Sequence, residues 1–595
     1  MSPKMTLLNT LICLACSFIT CIHPCDAAPL LPTCSSNTQC SSSNPLQVNL
    51  PLGPVLGTST SYSAQRFTLP YAQPPVGPLR FASPQPLTSF NTSRVYDATH
   101  LPPACMQSPD SRYNIDNVSE DCLYLNIYRP APSSGSGSKP VLVWLHGGSF
   151  ISGSATAPGL DGSYLASQNN VVVVTIQYRL GMFGFFSPAG STDEASTSRE
   201  KVQGNQGVRD AIQALQFIKS NIAAFDGNPN AVTLAGQSSG AHLIRSLLNS
   251  PSASPLFAGA ILHSDPANVG TQTLTTSHGV SQFAMEKTGC SDLACLRGLS
   301  AEEVLDASSA TAQAGQGIDE AVAVSEVFRP FLGSLTGSAF EASPGASGKP
   351  IILTNVENEA GSTVGQMLLP ISPGADSAQL RAYPISLPRG QLLEQMFNGG
   401  RASALSSAAK YGMRTNTSAY PPGARVQPYS NANDGLRRNL ETILAQGMFT
   451  CPTWFNALRH SSNAFIALFE RGITYPSNAG NDYCNEEGRI CHEDDIQLVF
   501  TDPNKVAAKV ARTVREVQAR WIAFVRSGNP NTSRYRGWTT AGGNTGVSAK
   551  VIRLGMYGGG SGGSMLDTIS LQAGQYAGCG QVWGGEIKFD WQMYG

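Results

Sequence analysis

Two adjacent serines flanked by glycines are the residues of this sequence best placed to do chemistry. The stretch AVTLAGQSSGAHLI, residues 231–244, puts Ser238 at the centre of a G-x-S-x-G pattern, between a run of β-formers and a helix-like pattern. At such a strand-to-helix corner the serine hydroxyl is held clear of the sheet, and the helix N-terminus adds partial positive charge. The pattern predicts that Ser238 is a nucleophile and that Ser239 offers its backbone N–H to an oxyanion.

A serine nucleophile needs a histidine as base and an acid that orients this base. The expected order along a chain with this corner is nucleophile, acid, histidine. Glu357 and Glu359, which follow the apolar run KPIILTN, are the candidate acids. On the residues alone, all the histidines that follow Ser238 remain candidates for the base: His242, His263, His278, His460 and His492.

A second source of backbone N–H groups is expected where the apolar part of VWLHGGSF ends. Gly147 and Gly148 follow His146 there, as in the glycine loop that completes an oxyanion hole. The two glycines are predicted to act through their N–H groups. His146 is interpreted as structural, because it precedes the acid in the chain.

Short apolar runs are predicted to form the strands that position these residues. They do not alternate apolar and polar residues, which is typical of inner strands of a parallel sheet covered on both faces. The runs are 141–148, 171–178, 231–236, 259–264, 349–355 and 463–469. Helical apolar spacing is present at 204–224 and 506–524. The predicted fold class is α/β, with an open, mostly parallel central sheet flanked by helices.

Composition and charge narrow the choice of partner. The chain has 595 residues, 13% of them charged, and a formal net charge of −1. There is therefore no electrostatic case for a nucleic-acid or anionic-membrane partner. No stretch after the N-terminus reaches ~18 uninterrupted apolar residues, so no stable membrane insertion is expected. We assign residues 29–595 to a single catalytic domain with helical excursions within 270–460.

Residues 1–28 are predicted to be a secretory signal peptide, which would make the protein extracellular. Lys4 precedes a mostly apolar stretch, and small residues follow at Ala27 and Ala28. Of 14 cysteines, four lie in this peptide. Close spacing suggests bridges among the others, although spacing alone does not fix the pairing: Cys34–Cys40, Cys105–Cys122, Cys290–Cys295 and Cys484–Cys491, with Cys451 and Cys579 left over. Sequons predict glycosylation at Asn91, Asn117, Asn416 and Asn531.

Several ordered blocks of the chain resemble the type-B carboxylesterase, lipase and cholinesterase family. EDCLYLNIYRP (120–130) and VTLAGQSSGA (232–241) are similar to its two signatures. Further similar blocks are YAQPPVGPLRF, VWLHGGSF, IQYRLGMFGFF, GNQGVRDAIQALQFIKSNIAAFDGNP and WIAFVRSGNPN. The resemblance runs from about residue 45 to the end, and CHEDDIQLVF and ILHSDPANVG look most like secreted fungal carboxylesterases. It implies the α/β-hydrolase fold.

The resemblance also implies which candidates form the site. The family's serine matches Ser238 and its histidine matches His492. Its acid, usually a glutamate ahead of glycine, matches Glu359 better than Glu357, although Ala360 intervenes.

Other family positions carry over in the same way. The oxyanion amides match Gly147, Gly148 and Ser239, the last usually an alanine. Gln237 stands where the family usually has glutamate, a change expected to remove a buried charge without touching the chemistry. The family's bridges match Cys105–Cys122, Cys290–Cys295 and Cys451–Cys579.

The predicted function is hydrolysis of a small-molecule ester through an acyl-enzyme, with no cofactor and no metal. Only 16 residues separate Cys105 from Cys122, and none is tryptophan. In this family a long loop there often forms a lipase lid, and in cholinesterases it carries a cation-binding tryptophan. Small to medium acyl esters are therefore the predicted substrates. A lipase or sterol esterase, and a non-catalytic adhesion module, are the alternatives; the oligomeric state is left open.

Overall fold

The computed structural model describes residues 44–583, except for 91–93, 111–112, 114, 133–137, 191–201, 319–325, 332–347, 368–388, 398, 412–431, 461–462, 536, 542–547, 558–563, 572–575 and 577. The predicted signal peptide, the Cys34–Cys40 pair, Asn91 and Asn416 lie outside the described residues. The residues from Pro45 onward form one compact unit. The division of the chain at residue 28 stays a prediction.

Every predicted apolar run overlaps a strand of the described residues. In chain order they are β1 (Gln47–Leu50), β2 (Gly53–Leu56), β3 (Thr58–Ser59), β4 (Ala64–Pro70), β5 (Tyr96–Asp97), β6 (Ala104–Cys105), β7 (Val118–Ser119), β8 (Tyr124–Pro130), β9 (Lys139–Leu145), β10 (Val172–Ile176), β11 (Gly227–Gln237), β12 (Gly259–His263), β13 (Ile351–Val356), β14 (Ala464–Phe469), β15 (Ser548–Tyr557) and β16 (Ser564–Ser570).

One 11-stranded sheet forms the centre of the molecule, in the order β16-β15-β14-β13-β12-β11-β9-β10-β8-β4-β3. Neighbouring strands are parallel from β15 to β10. At the two edges β16, β8, β4 and β3 are antiparallel to their neighbours. Since the carboxyl ends of the parallel strands meet at one edge of the sheet, the loops after β9, β11 and β13 lie close together there.

The helices of the described residues lie between and after these strands. They are α1 (Ser163–Asn169), α2 (Gly181–Phe185), α3 (Gln206–Asn221), α4 (Ser239–Leu248), α5 (Leu274–Thr288), α6 (Leu293–Gly298), α7 (Ala301–Ala314), α8 (Gly361–Met367), α9 (Arg389–Met396), α10 (Gly399–Ser407), α11 (Ala432–Leu444), α12 (Cys451–Arg459), α13 (Asp482–Asn485), α14 (Ile496–Phe500) and α15 (Ala508–Ser527). A π-helical turn, Ala445–Thr450, joins α11 to α12.

The inner strands are covered on both faces, as their unbroken apolar character predicts. On β9, Val143 and Leu145 belong to a buried apolar cluster that also contains Leu215 of α3. Their neighbour Trp144 belongs to a second cluster, together with Trp521 of α15. Because successive side chains of a strand point to opposite faces, each face of the sheet has its own core. The predicted α/β class, with helices on both faces, is confirmed.

The outer strands were not predicted. In β15 the partly exposed Lys550 and Arg553 interrupt the apolar residues. This strand lies next to an edge strand, where one side of the chain can reach water, so its pattern lacks the continuous apolar run of an inner strand. Within the described part of the chain, no helix combines the length and the apolar character needed to cross a membrane.

Candidate active site

The corner at Ser238 is a strained turn between β11 and α4. Ser238 has φ 55° and ψ −126°, outside the conformations that a residue with a side chain usually adopts. Its N–H donates to the carbonyl of His263 at the end of the neighbouring strand, at 2.9 Å. A Cβ on Gly240 would come within 2.3 Å of the carbonyl oxygen of Leu145. Glycine at 240 therefore lets α4 pack directly against the end of β9, and the turn is fixed from both sides.

The glycine loop after β9 lies against this corner. A Cβ on Gly147 would be 3.1 Å from Cβ of Ser238, so the two segments are in direct contact. The carbonyl of Gly148 accepts from the N–H of Ser152 at 2.9 Å, which folds the loop back on itself. The N–H of the buried Phe150 donates to Oγ of Ser239 at 3.2 Å. The hydroxyl of Ser239 thus joins the loop to the corner, while its backbone stays at the start of α4.

His146 supports the glycine loop through its contacts with Tyr178. Its ring stacks on Tyr178 at 4.4 Å between centroids and 12° between planes. The Tyr178 hydroxyl donates to the His146 carbonyl at 2.6 Å. Burial lowers the pKa of His146 to about 4, although the contact of its ring with the carbonyl of Gly147 opposes the shift. His146 is therefore neutral near pH 7, and its contacts are those of a structural residue.

His492 is paired with Glu359. Nδ1 of His492 lies 2.7 Å from Oε2 of Glu359. The other oxygen of this buried carboxylate accepts from the N–H of Val356, the last residue of β13, at 2.9 Å. Of the two candidate acids, the structure thus brings Glu359 to the imidazole. Glu357 instead donates its backbone N–H to Phe469 of the neighbouring strand, at 3.1 Å.

The segments that carry this pair are joined to each other along their backbones. Asn358 forms an isolated parallel bridge with Cys491, and its N–H donates to Ile490 at 3.0 Å. The disulfide Cys484–Cys491 closes the segment immediately before His492. Glu359 follows Asn358 and His492 follows Cys491, so each is next to a residue of the Asn358–Cys491 backbone pairing. The separation of the acid and the histidine is therefore set by the backbone as well as by their own contact.

The second nitrogen of His492 faces the corner, where it meets Gln237. Nε2 lies 3.0 Å from the side-chain nitrogen of Gln237. The two contacts of the ring agree on one tautomer, in which Nδ1–H donates to Glu359 and Nε2 accepts from the Gln237 amide. This tautomer leaves the lone pair of a base directed at the corner that carries Ser238. The side chain of Gln237 is therefore in direct contact with the imidazole.

Two residues that lie beside His492 were not predicted from the sequence. The ring of Phe449, in the π-helical turn, lies 5.2 Å from the imidazole between centroids. Glu493, which follows His492, has φ 77°. Burial by itself lowers the pKa of His492, but the hydrogen bond and charge of Glu359, with the charges of Glu493 and Asp495, raise it above its usual value.

Three of the four other candidate histidines have partners of their own. His242 pairs with the buried Glu326 at 2.6 Å. His263 pairs with Asp495 at 2.6 Å and accepts from the indole of Trp521 at 2.9 Å. Nε2 of His460 lies 2.9 Å from the carbonyl of Lys349. His278 lies within α5.

The structure contains every predicted disulfide that falls on described residues. The bridges are Cys105–Cys122, Cys290–Cys295, Cys451–Cys579 and Cys484–Cys491.

Of the predicted glycosylation sites, Asn117 is exposed, whereas Asn531 is partly buried. Among the described residues, no group of three or more histidine, cysteine, aspartate or glutamate side chains could hold a metal ion.

Comparison with known proteins points to one family. The model of the carboxylesterase family matches residues 44–555. A rabbit (Oryctolagus cuniculus) cocaine esterase is 30% identical over 502 residues, which cover 79% of this chain and 84% of that protein. A mouse (Mus musculus) acylcarnitine hydrolase is 29% identical over 499 residues, covering 79% and 80%. A human cocaine esterase is 41% identical over a shorter stretch of 254 residues, 40% of this chain and 43% of that protein.

Solved structures agree with the sequence relatives. A PNB esterase has a TM-score of 0.66 at 25% identity, covering 88% of this chain and 98% of that one. A thermophilic PNB esterase has a TM-score of 0.67 at 25% identity, with the same coverage. The predicted α/β-hydrolase fold and the resemblance to the family are thus confirmed, while the likeness to fungal members stays a prediction.

Proposed function

The chain belongs to the carboxylesterase family and is a serine-dependent carboxylic ester hydrolase, and from this premise we propose that it acts through an acyl-enzyme formed on Ser238. In the first step His492 takes the hydroxyl proton of Ser238 while the serine oxygen bonds to the ester carbonyl carbon. Glu359 holds the imidazole in the required tautomer and stabilises its cation. The imidazolium then gives the proton to the departing alcohol oxygen, and the ester C–O bond breaks.

The second step returns the enzyme to its starting state. His492 takes a proton from water as the water oxygen bonds to the acyl carbon, and the proton passes to Oγ of Ser238 as the acid leaves. In both steps negative charge develops on the carbonyl oxygen, and we assign its binding to the N–H groups of Gly147, Gly148 and Ser239. Each donor of this kind typically contributes ~3 kcal/mol to the transition state.

The observation that carries this assignment is the 2.7 Å contact of His492 with Glu359, with Nε2 of the same ring directed at the Ser238 corner. In the described structure Nε2 meets Gln237. The proposed first step therefore requires Nε2 to exchange the Gln237 amide for the Ser238 hydroxyl when the substrate binds. Catalytic hydrogen bonds often reach their final geometry only in the substrate complex.

Covalent labelling tests the proposal. We expect a fluorophosphonate to add one phosphonyl group to Ser238, located by peptide mass spectrometry, and to abolish esterase activity. Ser238→Ala and His492→Ala should each lower kcat by several orders of magnitude, on the order of 10⁴ or more. Labelling of another residue, or wild-type turnover in either variant, would contradict the assignment. Ser220→Ala, at an exposed position of α3, serves as a control for handling and folding.

The proposed substrates are esters with small to medium acyl chains. Cys105 and Cys122 are 17 residues apart, and the parallel strands β6 and β7 hold the two ends of the loop together. A loop so short covers little surface, so it gives no support to a large interfacial lid. We expect kcat/KM to peak within a graded panel of water-soluble p-nitrophenyl esters. A jump in rate once a long-chain ester forms an emulsion would favour a lipase instead.

We further propose that the protein is secreted, with residues 1–28 removed. The signal-like pattern of these residues and the disulfide bridges of the rest of the chain support this proposal, because disulfides form and persist in oxidising compartments. Expression of the full chain in a secreting eukaryotic host should release a protein whose N-terminal sequence begins near residue 29. Retention of the intact N-terminus inside the cell would count against it.

A further inference from the structure

Glu493 has a backbone conformation that a residue with a side chain rarely adopts. Its φ is 77°, in the left-handed region that favours glycine. Such a conformation is unfavourable unless the surroundings enforce it, and it is frequent at functional sites. The side-chain contacts of Glu493 show what enforces it here.

The carboxylate of Glu493 is held by two hydroxyl groups. Tyr113 donates to Oε2 at 3.1 Å, and Ser477 donates to the same oxygen. The ring of Tyr113 also packs against the ring of Tyr475, with centroids 6.0 Å apart. Tyr113 lies between Cys105 and Cys122, far from Glu493 in the sequence. The contact therefore connects the loop of the first disulfide to the residue that follows His492.

The backbone next to Glu493 is fixed by its other neighbours. The side chain of Asn478 donates to the carbonyl of His492 at 2.8 Å and to Asp494 at 3.0 Å. Asp494 also accepts from the N–H of Tyr475 at 2.7 Å. Asp494 thus secures the segment internally, and Glu493 is the acid of this segment that reaches the loop around Tyr113.

From this geometry we propose that Glu493 is a positioning residue for His492. It anchors the histidine segment to the Cys105–Cys122 loop through Tyr113, and its negative charge stabilises the imidazolium that forms during turnover. The inference rests on the proposed role of His492 as the base. It adds a residue that the match to the family did not supply.

The electrostatic part of the proposal involves several ionisable groups. Those that interact electrostatically with His492 or Glu493 are Glu359 from the loop after β13, Asp495 from the same segment, Tyr475 and Tyr113 from the adjoining segments, and Glu326. Burial raises the pKa of Glu493, while the charge of His492 and the two hydroxyl donors oppose that shift. The charge of Glu493 in turn helps to raise the pKa of His492.

The first test is the pH profile of kcat/KM in Glu493→Gln. His492 must be neutral to act as a base, so activity is lost as the pH falls through its pKa. Removal of the neighbouring negative charge lowers that pKa, and we expect the acid limb to move to lower pH by about half a unit or more. Glu487→Gln is the matched control, because Glu487 lies six residues before Glu493 but its side chain is 87% exposed. An acid limb that coincides with that of the wild type and the control would overturn the electrostatic part.

The second test addresses the anchor. Tyr113→Phe removes the donor and keeps the ring and the charge of Glu493, and Glu493→Gly removes the side chain from a backbone suited to glycine. We expect each to lower kcat by about tenfold, with less than additive loss in the double variant, because both remove the same contact. Additive effects, or a wild-type kcat in Tyr113→Phe, would contradict the anchor.

A third variant separates this inference from the function on which it rests. If His492→Ala is inactive and the Glu493 and Tyr113 variants behave like the wild type, His492 remains the base and the positioning role is wrong. If His492→Ala retains full activity, the proposed function itself fails. Thermal unfolding of each variant identifies a loss of activity that merely follows a loss of folded protein.

Discussion

The side-chain nitrogen of Gln237 lies 3.0 Å from Nε2 of His492, at the position where the nucleophile's hydroxyl is expected. Gln237 is fully buried, and its side-chain oxygen has no hydrogen-bond partner among the described residues. A buried amide with one unsatisfied oxygen is costly, by about 1–3 kcal/mol. The residue before Ser238 is therefore part of the immediate environment of the imidazole.

Gln237→Glu should shift the pH dependence of the reaction. The amide N–H of Gln237 opposes a proton on Nε2 of His492, whereas a carboxylate there would attract one. The pKa of His492 should therefore rise, and because the neutral imidazole is the active form, the acid limb of kcat/KM should move to higher pH by about one unit. The same change at the exposed Gln168 is the control. An acid limb of the kcat/KM profile that stays in place or moves to lower pH would show that Gln237 does not face the imidazole of His492 during the reaction.

Glu359→Gln should lower kcat by about 10³–10⁴, because an amide can present a donor to Nδ1 and so favour the wrong tautomer of His492. Glu357→Gln is the matched control, since Glu357 lies in the same loop and bonds to Phe469 through its backbone N–H. We expect the control to keep kcat within about threefold of the wild type. A large loss in the Glu357 variant together with an active Glu359 variant would reverse the assignment of the acid.

Ser239→Ala should separate the side chain of Ser239 from its backbone. The proposed oxyanion N–H remains, but the N–H of the buried Phe150 loses its acceptor at 3.2 Å. We expect the free energy of unfolding to fall by about 1–3 kcal/mol and kcat to fall by less than about tenfold. Denaturant unfolding and steady-state kinetics on the same sample measure both. A loss of activity as large as that of Ser238→Ala would mean that the hydroxyl takes part in the reaction.

Removal of the Cys484–Cys491 bridge should affect catalysis more than removal of Cys290–Cys295. The bridged cysteines are 7 and 5 residues apart, so chain entropy alone predicts a similar loss of stability for both, about 2 kcal/mol. Of these two bridges, only Cys484–Cys491 adjoins His492. Paired cysteine-to-serine variants should therefore show similar falls in Tm, with a fall in kcat confined to the 484/491 pair. Equal activities would indicate that the bridge does not position the histidine.

Asn117 should be glycosylated in a secreting eukaryotic host and Asn531 should not. Nδ2 of Asn531 donates to Asn529 at 3.0 Å and to the carbonyl of Trp538 at 2.7 Å, so both of its hydrogens are in use. A glycan replaces one of them and would break a contact to the segment that holds the buried Trp538. Asn117 is exposed. Glycopeptide mass spectrometry decides the matter, and a fully occupied Asn531 in folded enzyme would contradict the prediction.

The sequence by itself determined the inner strands of the sheet and the corner. Unbroken apolar runs such as 171–178 report burial on both faces of a strand, which is a local property of the chain. Gly240 and the residues around Ser238 likewise specify a turn through local backbone geometry and close packing. These features depend on residues near one another in the chain, so their pattern is readable without the fold. The signatures of the family added His492, which the residues alone left among several histidines.

The tertiary structure decided which distant groups meet. Glu359 rather than Glu357 contacts His492 because the loop after β13 is joined to the histidine segment by the Asn358–Cys491 bridge. The contacts of Gln237 with His492 and of Tyr113 with Glu493 join residues that are 255 and 380 positions apart. No periodicity or spacing encodes such pairs, because they arise only when the parallel strands align their carboxyl ends and bring separate loops to one edge of the sheet.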